Sequence, residues 1–218
     1  MSKRIVILVS GNGSNAQAII DACESGQIRG QVHAVISNKK DAYGLVRAKK
    51  HNIDAIAIPH VDFAARSDFE AELLSSVVSY QPDLVVLAGF MRILSEKFVN
   101  SFSGKILNIH PSLLPKYPGL NTHQRALDNG DEKHGSSVHF VTPELDGGPV
   151  ILQGEVPVMT GDTPDILAKR LASVEWQIYT KVVKWFCDDK LHLDNNSVVL
   201  NETIIKKGGL TNEQQIIY

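Results

Sequence analysis

Cysteine is scarce in this chain: Cys23 and Cys187 are the only two among 218 residues. Two so far apart exclude a disulfide scaffold and a zinc knuckle, and Cys23 falls on the apolar face of an expected helix, where it reads as inert core. Long apolar runs are missing as well. None approaches the roughly 20 residues needed to span a bilayer. The short Ile/Val/Leu run after Met1-Ser2-Lys3-Arg4 gives way to Gly11-Asn12-Gly13, without the apolar core or cleavage site of a signal peptide. A cytoplasmic location is expected. Charge of one sign does not dominate: 22 basic against 24 acidic residues leave a net charge of −2. That excludes a general nucleic-acid binder, and Lys39-Lys40 and Lys49-Lys50 read as solvated faces. The eight histidines show no H-x-x-x-H spacing, so His110, His123, His134 and His139 are not expected to hold a metal. G-x-S-x-G is absent, which leaves Ser112 without a nucleophile elbow. There is no internal repeat and no interdomain linker. The remainder, 43% hydrophobic and 21% charged, suits one sizeable α/β domain or two small ones.

Strand and helix patterns alternate through the first half. Arg4–Val9, Val32–Ser37, Ala55–Ile58, Asp83–Ala88 and Lys105–Ile109 read as strands, and their aliphatic character is that of buried parallel strands. Between them lie helices opening at Ser14, near Gly44–Lys50, after Ser67-Asp68-Phe69-Glu70 (a capping box) and at Ser95–Phe102. This βαβ order predicts a Rossmann-like, mostly parallel twisted sheet with helices on both faces. Residues 111–133 are rich in Pro and Gly and read as an active-site loop, with a helix near Thr122–Asn129. Ser136–Val141 and Val150–Val156 follow as an antiparallel extension. Thr163-Pro164 marks a helix start, and Leu167, Leu171, Val174, Ile178, Val182 and Trp185 give it a core-facing stripe.

Three residue types stand out for their chemistry. Asn108 and His110, two apart at a strand end, share a face, and Pro111 biases His110 towards extended geometry. Asp146 precedes Gly147-Gly148-Pro149 in a tight loop. An amide, an imidazole and a carboxylate that converge stabilise an oxyanion and move a proton. Asp146 beside the ring favours its charged form. Ser137 and His139, on one strand face, either orient a water there or simply pack. Ser10-Gly11-Asn12-Gly13-Ser14-Asn15-Ala16, between strand and helix, satisfies G-x-G-x-x-A. The second strand, however, ends in Ser37-Asn38-Lys39, without the carboxylate that holds a dinucleotide ribose, so NAD is not expected. The loop fits a single terminal phosphate at a helix N-terminus. The plainer alternative is a tight turn with a Ser N-cap. Gly89-Phe90-Met91-Arg92-Ile93-Leu94 follows another strand, on the sheet edge where ligands bind, and its apolar side chains suit a flat heteroaromatic ring.

These stretches, together with Asn108-Ile109-His110-Pro111-Ser112-Leu113-Leu114-Pro115-Lys116-Tyr117-Pro118-Gly119 and Gly135-Ser136-Ser137-Val138-His139-Phe140-Val141 through Asp146-Gly147-Gly148-Pro149, resemble the folate-dependent phosphoribosylglycinamide formyltransferases, within the formyltransferase superfamily. The likeness runs from about residue 5 to 185. It implies formyl transfer from 10-formyltetrahydrofolate, as co-substrate, to the amine of glycinamide ribonucleotide, without metal or NAD. It implies that Gly13, Ser14 and Asn15 hold the phosphate and Glu175 the ribose hydroxyls. Arg66, Met91, Arg92, Ile93, Leu94, Asn108 and the loop Thr142, Pro143, Glu144, Leu145, Asp146 would line the folate site. Asn108, His110 and Asp146 would be catalytic. Ala172 stands where relatives often carry a polar residue facing the ribonucleotide. The catalytic domain is expected over 1–187, its N-terminal half binding phosphate and its C-terminal half bearing the folate and catalytic loops. Residues 188–218 are expected to be a peripheral extension. Small molecules are the expected partners, with no nucleic acid or membrane, in a monomer or weak homodimer. Competing readings are hydrolysis of 10-formyltetrahydrofolate, formylation of an initiator aminoacyl-tRNA, and a non-catalytic nucleotide-binding module.

Overall fold

The apolar run after Lys3 forms strand β1 (Lys3–Val9) in the computed structural model, which describes residues 2–211. Ile5, Val6, Ile7, Leu8 and Val9 are all fully buried, as a strand covered on both faces requires. By contacts the chain divides into two units, Met1–Asn108 and Ile109–Tyr218.

In the first unit β1 is followed by α1 (Ser14–Glu24), β2 (Gly30–Ser37), α2 (Tyr43–Lys50), β3 (Asp54–Ala57), α3 (Arg66–Ser79), β4 (Leu84–Leu87), α4 (Glu96–Ser101) and β5 (Ile106–His110), whose last two residues carry the chain into the second unit. All its pairings are parallel, in the order β3-β2-β1-β4-β5. The chain runs from β1 to β2 on one side, and β4 joins β1 on the other, which makes the ends of β1 and β4 a switch point where successive loops diverge. α1 buries Ala16, Ile19, Ile20 and Ala22. Cys23 is only half-buried, and burial pushes its thiol up to about 12, so it stays protonated and unreactive.

The expected capping box at Ser67 does not form. α3 starts two residues earlier, at Arg66, with Ala65 in place of Ser67 as its N-cap and no side-chain cap bond. Glu70 is drawn instead to Arg66 Nε, 2.6 Å away in an i,i+4 pair, and the Ser67 hydroxyl turns to Asp68. A charge-assisted bond one turn back outcompetes a neutral backbone amide.

The second unit holds α5 (Thr122–Asp128), β6 (Lys133–Phe140), β7 (Val150–Pro157), α6 (Pro164–Cys187), then β8 (Leu191–Asp194), β9 (Ser197–Leu200), β10 (Thr203–Ile204) and β11 (Leu210–Thr211). β6 and β7 pair antiparallel, Ser137 opposite Gln153 and Val138 opposite Leu152. β11 lies parallel to β7. β8, β9 and β10 form a separate antiparallel meander. The helix start at Thr163-Pro164 is as expected: Thr163 Oγ1 accepts from Ile166 N–H, and Leu167, Leu171, Ile178 and Val182 are buried along one stripe. Leu167 and Leu171 pack on Val156. The fold is thus a mostly parallel α/β arrangement, with antiparallel strands confined to the C-terminal half. Residues 212–218 of the expected C-terminal extension lie outside the described residues.

Candidate active site

The loop after β1 is held in shape by α2. Gly13 caps α1 at φ 71°, and a Cβ there would stand 2.8 Å from the Gly44 Cα, so both the dihedral and the approach require glycine. Gly13, not Ser14, is the cap residue, which corrects the Ser N-cap alternative; Ser14 and Asn15 sit half-buried on the first turn. Gly44 N–H donates to Gly11 O at 3.0 Å. Arg47 donates from Nε to Asn12 O and from Nη2 to Asn12 Oδ1, both at 2.9 Å. The helix start thereby presents its first amides on a rigid loop, with no side-chain cap occupying them.

The loop after β4 is pinned twice. Met91 N–H donates to Ser10 Oγ at 2.7 Å, and Arg66 Nη2 donates to Ile93 O at 2.8 Å. Between the pins, Met91 and Ile93 stand exposed while Arg92 is half-buried and Leu94 buried. Such apolar side chains on a fixed backbone are the means of gripping an aromatic ring.

In the second unit, His110 and Asp146 come together. His110 Nδ1 lies 3.5 Å from Asp146 Oδ2, with both side chains more than nine-tenths buried. His110 Nε2 donates to Tyr117 O at 2.8 Å. Asp146 adopts φ 50° in the loop between β6 and β7, and its Oδ2 also accepts Gly119 N–H at 2.9 Å. His139 Nε2 is 3.9 Å from Asp146 Oδ1, and His139 Nδ1 donates to Phe140 O. Burial holds the His139 pKa below the ordinary imidazole value, against the opposing pull of Phe140 O and Asp146. Asn108 precedes His110 by two residues on β5, half-buried, and alternation puts the two side chains on one face. Thr142 is half-buried, and Pro143, Glu144 and Leu145 are exposed on the approach to Asp146.

Glu175, half-buried on α6, accepts from Ser136 Oγ at 2.6 Å. Ser137 is not free to orient a water. Its hydroxyl donates to Ser112 O and accepts from Leu114 N–H and Gln153 Nε2, so it buttresses the loop that follows β5. Ser112 Oγ likewise donates to Lys116 O. Four of the five histidines of the second half fall into two pairs: His110 and His139 face Asp146, and His123 Nδ1 meets His134 Nε2 at 2.9 Å. Tyr117, Gly119 and Arg47 were not singled out in the sequence. Tyr117 and Gly119 act through backbone atoms, to which side-chain identity is blind, and only the Tyr-Pro-Gly turn composition hints at them. Tyr117 is fixed by its OH on Asp131 Oδ2 and by Arg125, stacked 5.0 Å from its ring.

The formyl transferase family matches residues 3–183. A phosphoribosylglycinamide formyltransferase of Escherichia coli K12 is 55% identical over 90% of this chain and 93% of its own. The solved structure of a phosphoribosylglycinamide formyltransferase from Coxiella burnetii superposes with a TM-score of 0.92 at 48% identity, covering 97% of this chain and 99% of its own. A formyltetrahydrofolate deformylase from Pseudomonas syringae shares the fold at a TM-score of 0.85 but only 28% identity, over 92% of this chain and 66% of its own.

Proposed function

The chain belongs to the formyl transferase family, and we propose that it transfers a formyl group from 10-formyltetrahydrofolate to the amine of phosphoribosylglycinamide, in purine biosynthesis. The observation that carries the chemistry is the buried pairing of Asp146 with His110, the last residue of the strand that bears Asn108. The choice of acceptor rests on the 55% identity to a transformylase against 28% to a deformylase.

The substrate amine attacks the formyl carbon directly. The carbonyl electrons move to oxygen, and the tetrahedral oxyanion accepts hydrogen bonds from the Asn108 amide and from His110 Nε2–H, which gives up Tyr117 O as the substrate enters. One such donor is worth about 2.7–4 kcal/mol of barrier. Asp146 orients the ring and helps carry the proton from the attacking nitrogen, through water, towards the folate nitrogen that leaves. Positioned proton transfer adds about 10²–10⁴ in rate. Gly13, Ser14 and Asn15 bind the phosphate, where amides at a helix start favour an anion. Glu175 accepts from the ribose hydroxyls. Arg66, Met91, Arg92, Ile93 and Leu94, with Thr142, Pro143, Glu144 and Leu145, line the folate site.

The deciding experiment is a spectroscopic assay with a 10-formylfolate donor, with and without glycinamide ribonucleotide. Turnover is expected only with the amine present. Equal turnover in water alone would replace the transferase reading with the hydrolase one.

A further inference from the structure

One buried hydroxyl links the two loops to which the proposed function gives different ligands. Ser10 is only 4% exposed. Its main chain leads directly into the Gly11–Asn15 loop, and its N–H donates to Gly89 O at 3.1 Å. Its Oγ donates to Asn38 Oδ1 at 2.6 Å and accepts Met91 N–H at 2.7 Å. A serine hydroxyl has one hydrogen and two lone pairs. With the hydrogen committed to Asn38, a lone pair is left aimed at Met91. Asn38 is itself 2% exposed and is steadied on its far side by His60, whose Nδ1 lies 3.2 Å from Asn38 Nδ2. This explains the residue that follows β2. At the position where a dinucleotide fold keeps an outward carboxylate, this chain has an inward amide that orients the Ser10 hydroxyl.

We propose that Ser10 is a positioning residue that couples the two substrate sites, so that a phosphate ester seated on the Gly11–Asn15 loop raises the affinity for the pteridine-type donor on the Met91–Leu94 loop. The inference rests on the assignment of those loops to ribonucleotide and folate. An anion drawn to the loop amides shifts the Ser10 backbone, and Ser10 Oγ passes that shift to the Met91 amide while Arg66 holds Ile93 O. The donor loop then meets its ligand already adjusted, and the adjustment it would otherwise make on binding is done beforehand. Coupling between binding sites is reciprocal: each ligand must strengthen the other by the same factor.

The test compares wild type with Ser10→Ala, Ser10→Thr and Asn38→Ala. In wild type, glycinamide ribonucleotide should tighten 10-formylfolate binding several-fold, within the usual range for coupled sites. Ser10→Ala leaves the Met91 amide without its hydroxyl. The donor KM should rise roughly five- to tenfold, with kcat within twofold of wild type, and the coupling factor should fall to one. Asn38→Ala should do the same in part, because it frees the hydroxyl to rotate. Ser10→Thr keeps the hydroxyl and should restore coupling. An Ala variant with unchanged donor KM and coupling factor overturns the proposal. A purely structural role would lower thermal stability and kcat without moving that factor. A second readout does not depend on turnover. The Met91 amide resonance should shift when ribose 5-phosphate is added to wild type, and not in Ser10→Ala. A Met91 resonance unmoved in wild type defeats the coupling whatever the activity; absent amine-dependent turnover defeats the assigned reaction instead.

Discussion

His110 is held from both ring nitrogens, Nδ1 at 3.5 Å from Asp146 Oδ2 and Nε2 at 2.8 Å from Tyr117 O. The ring cannot turn without giving up one acceptor. Asp146 is fixed in its turn by Gly119 N–H, and Tyr117 and Gly119 are two residues apart. A single short segment therefore sets the orientation of both partners. With both side chains buried, little water screens the attraction between carboxylate and ring. The orientation of both side chains is thus set by backbone atoms, Tyr117 O and Gly119 N–H.

Asp146→Asn separates charge from geometry. Asparagine tolerates the left-handed dihedral at this position and still offers an oxygen to Gly119 N–H. The fold and melting temperature should stay near wild type while the rate falls by about 10²–10⁴, the usual worth of positioned proton transfer. Circular dichroism and steady-state rates check this; near-normal turnover would remove Asp146 from the proton path.

Gly148→Ala should be far worse than Gly147→Ala. A Cβ at Gly148 would overlap the Phe140 carbonyl oxygen, whereas at Gly147 the nearest atoms belong to the flexible Glu144 side chain. The backbone of β6 cannot yield, so the Asp146 loop must move. A loss of at least about 3 kcal/mol is expected for Gly148→Ala, with activity abolished, and much less for Gly147→Ala. Comparable urea midpoints for the two would show that the loop has room.

The elements were largely legible because buried parallel strands write themselves as aliphatic runs: Ile5–Val9 and Leu84–Leu87 are covered along their whole length. Thr163-Pro164 announced α6 for an equally local reason. The start of α3 was misread because the choice between an amide and Arg66 as Glu70's partner depends on the burial of Glu70, which no four-residue pattern contains. At the site, Asn108, His110 and Asp146 were visible as side-chain types next to Pro and Gly. The sequence leaves Ser137 open between orienting a water and packing, because it does not show that Ser112, Leu114 and Gln153 consume the hydroxyl. Tyr117 and Gly119 escaped because their contributions are a carbonyl and an amide that every residue type possesses.

Glu175→Gln tests the ribose assignment. The glutamine keeps the volume and an oxygen for Ser136 Oγ, now 2.6 Å from Oε1, but loses the charge that strengthens a bond to a hydroxyl. The ribonucleotide KM should rise roughly tenfold or more, with the donor KM and kcat little changed. Equal KM values for both substrates in mutant and wild type would take Glu175 out of the ribonucleotide site.

The His123–His134 contact makes a prediction about acid stability. Burial first, and then the neighbouring His123, push His134 from 6.5 down to about 4, against an opposing pull from Asp131. Above pH 6.5 the ring is neutral in both folded and unfolded chains, and its packing contributes in full. Between 6.5 and about 4 the unfolded chain takes up a proton that the folded one refuses, so stability must fall as pH falls through this window. The full loss from this one ring is of order 3 kcal/mol. His134→Gln can still meet His123 Nδ1 but does not titrate. Urea unfolding from pH 7 to 4.5 should therefore show a shallower loss for the variant than for wild type, the two curves converging as pH falls. Parallel curves would mean that His134 is protonated as easily in the folded chain as in the unfolded one.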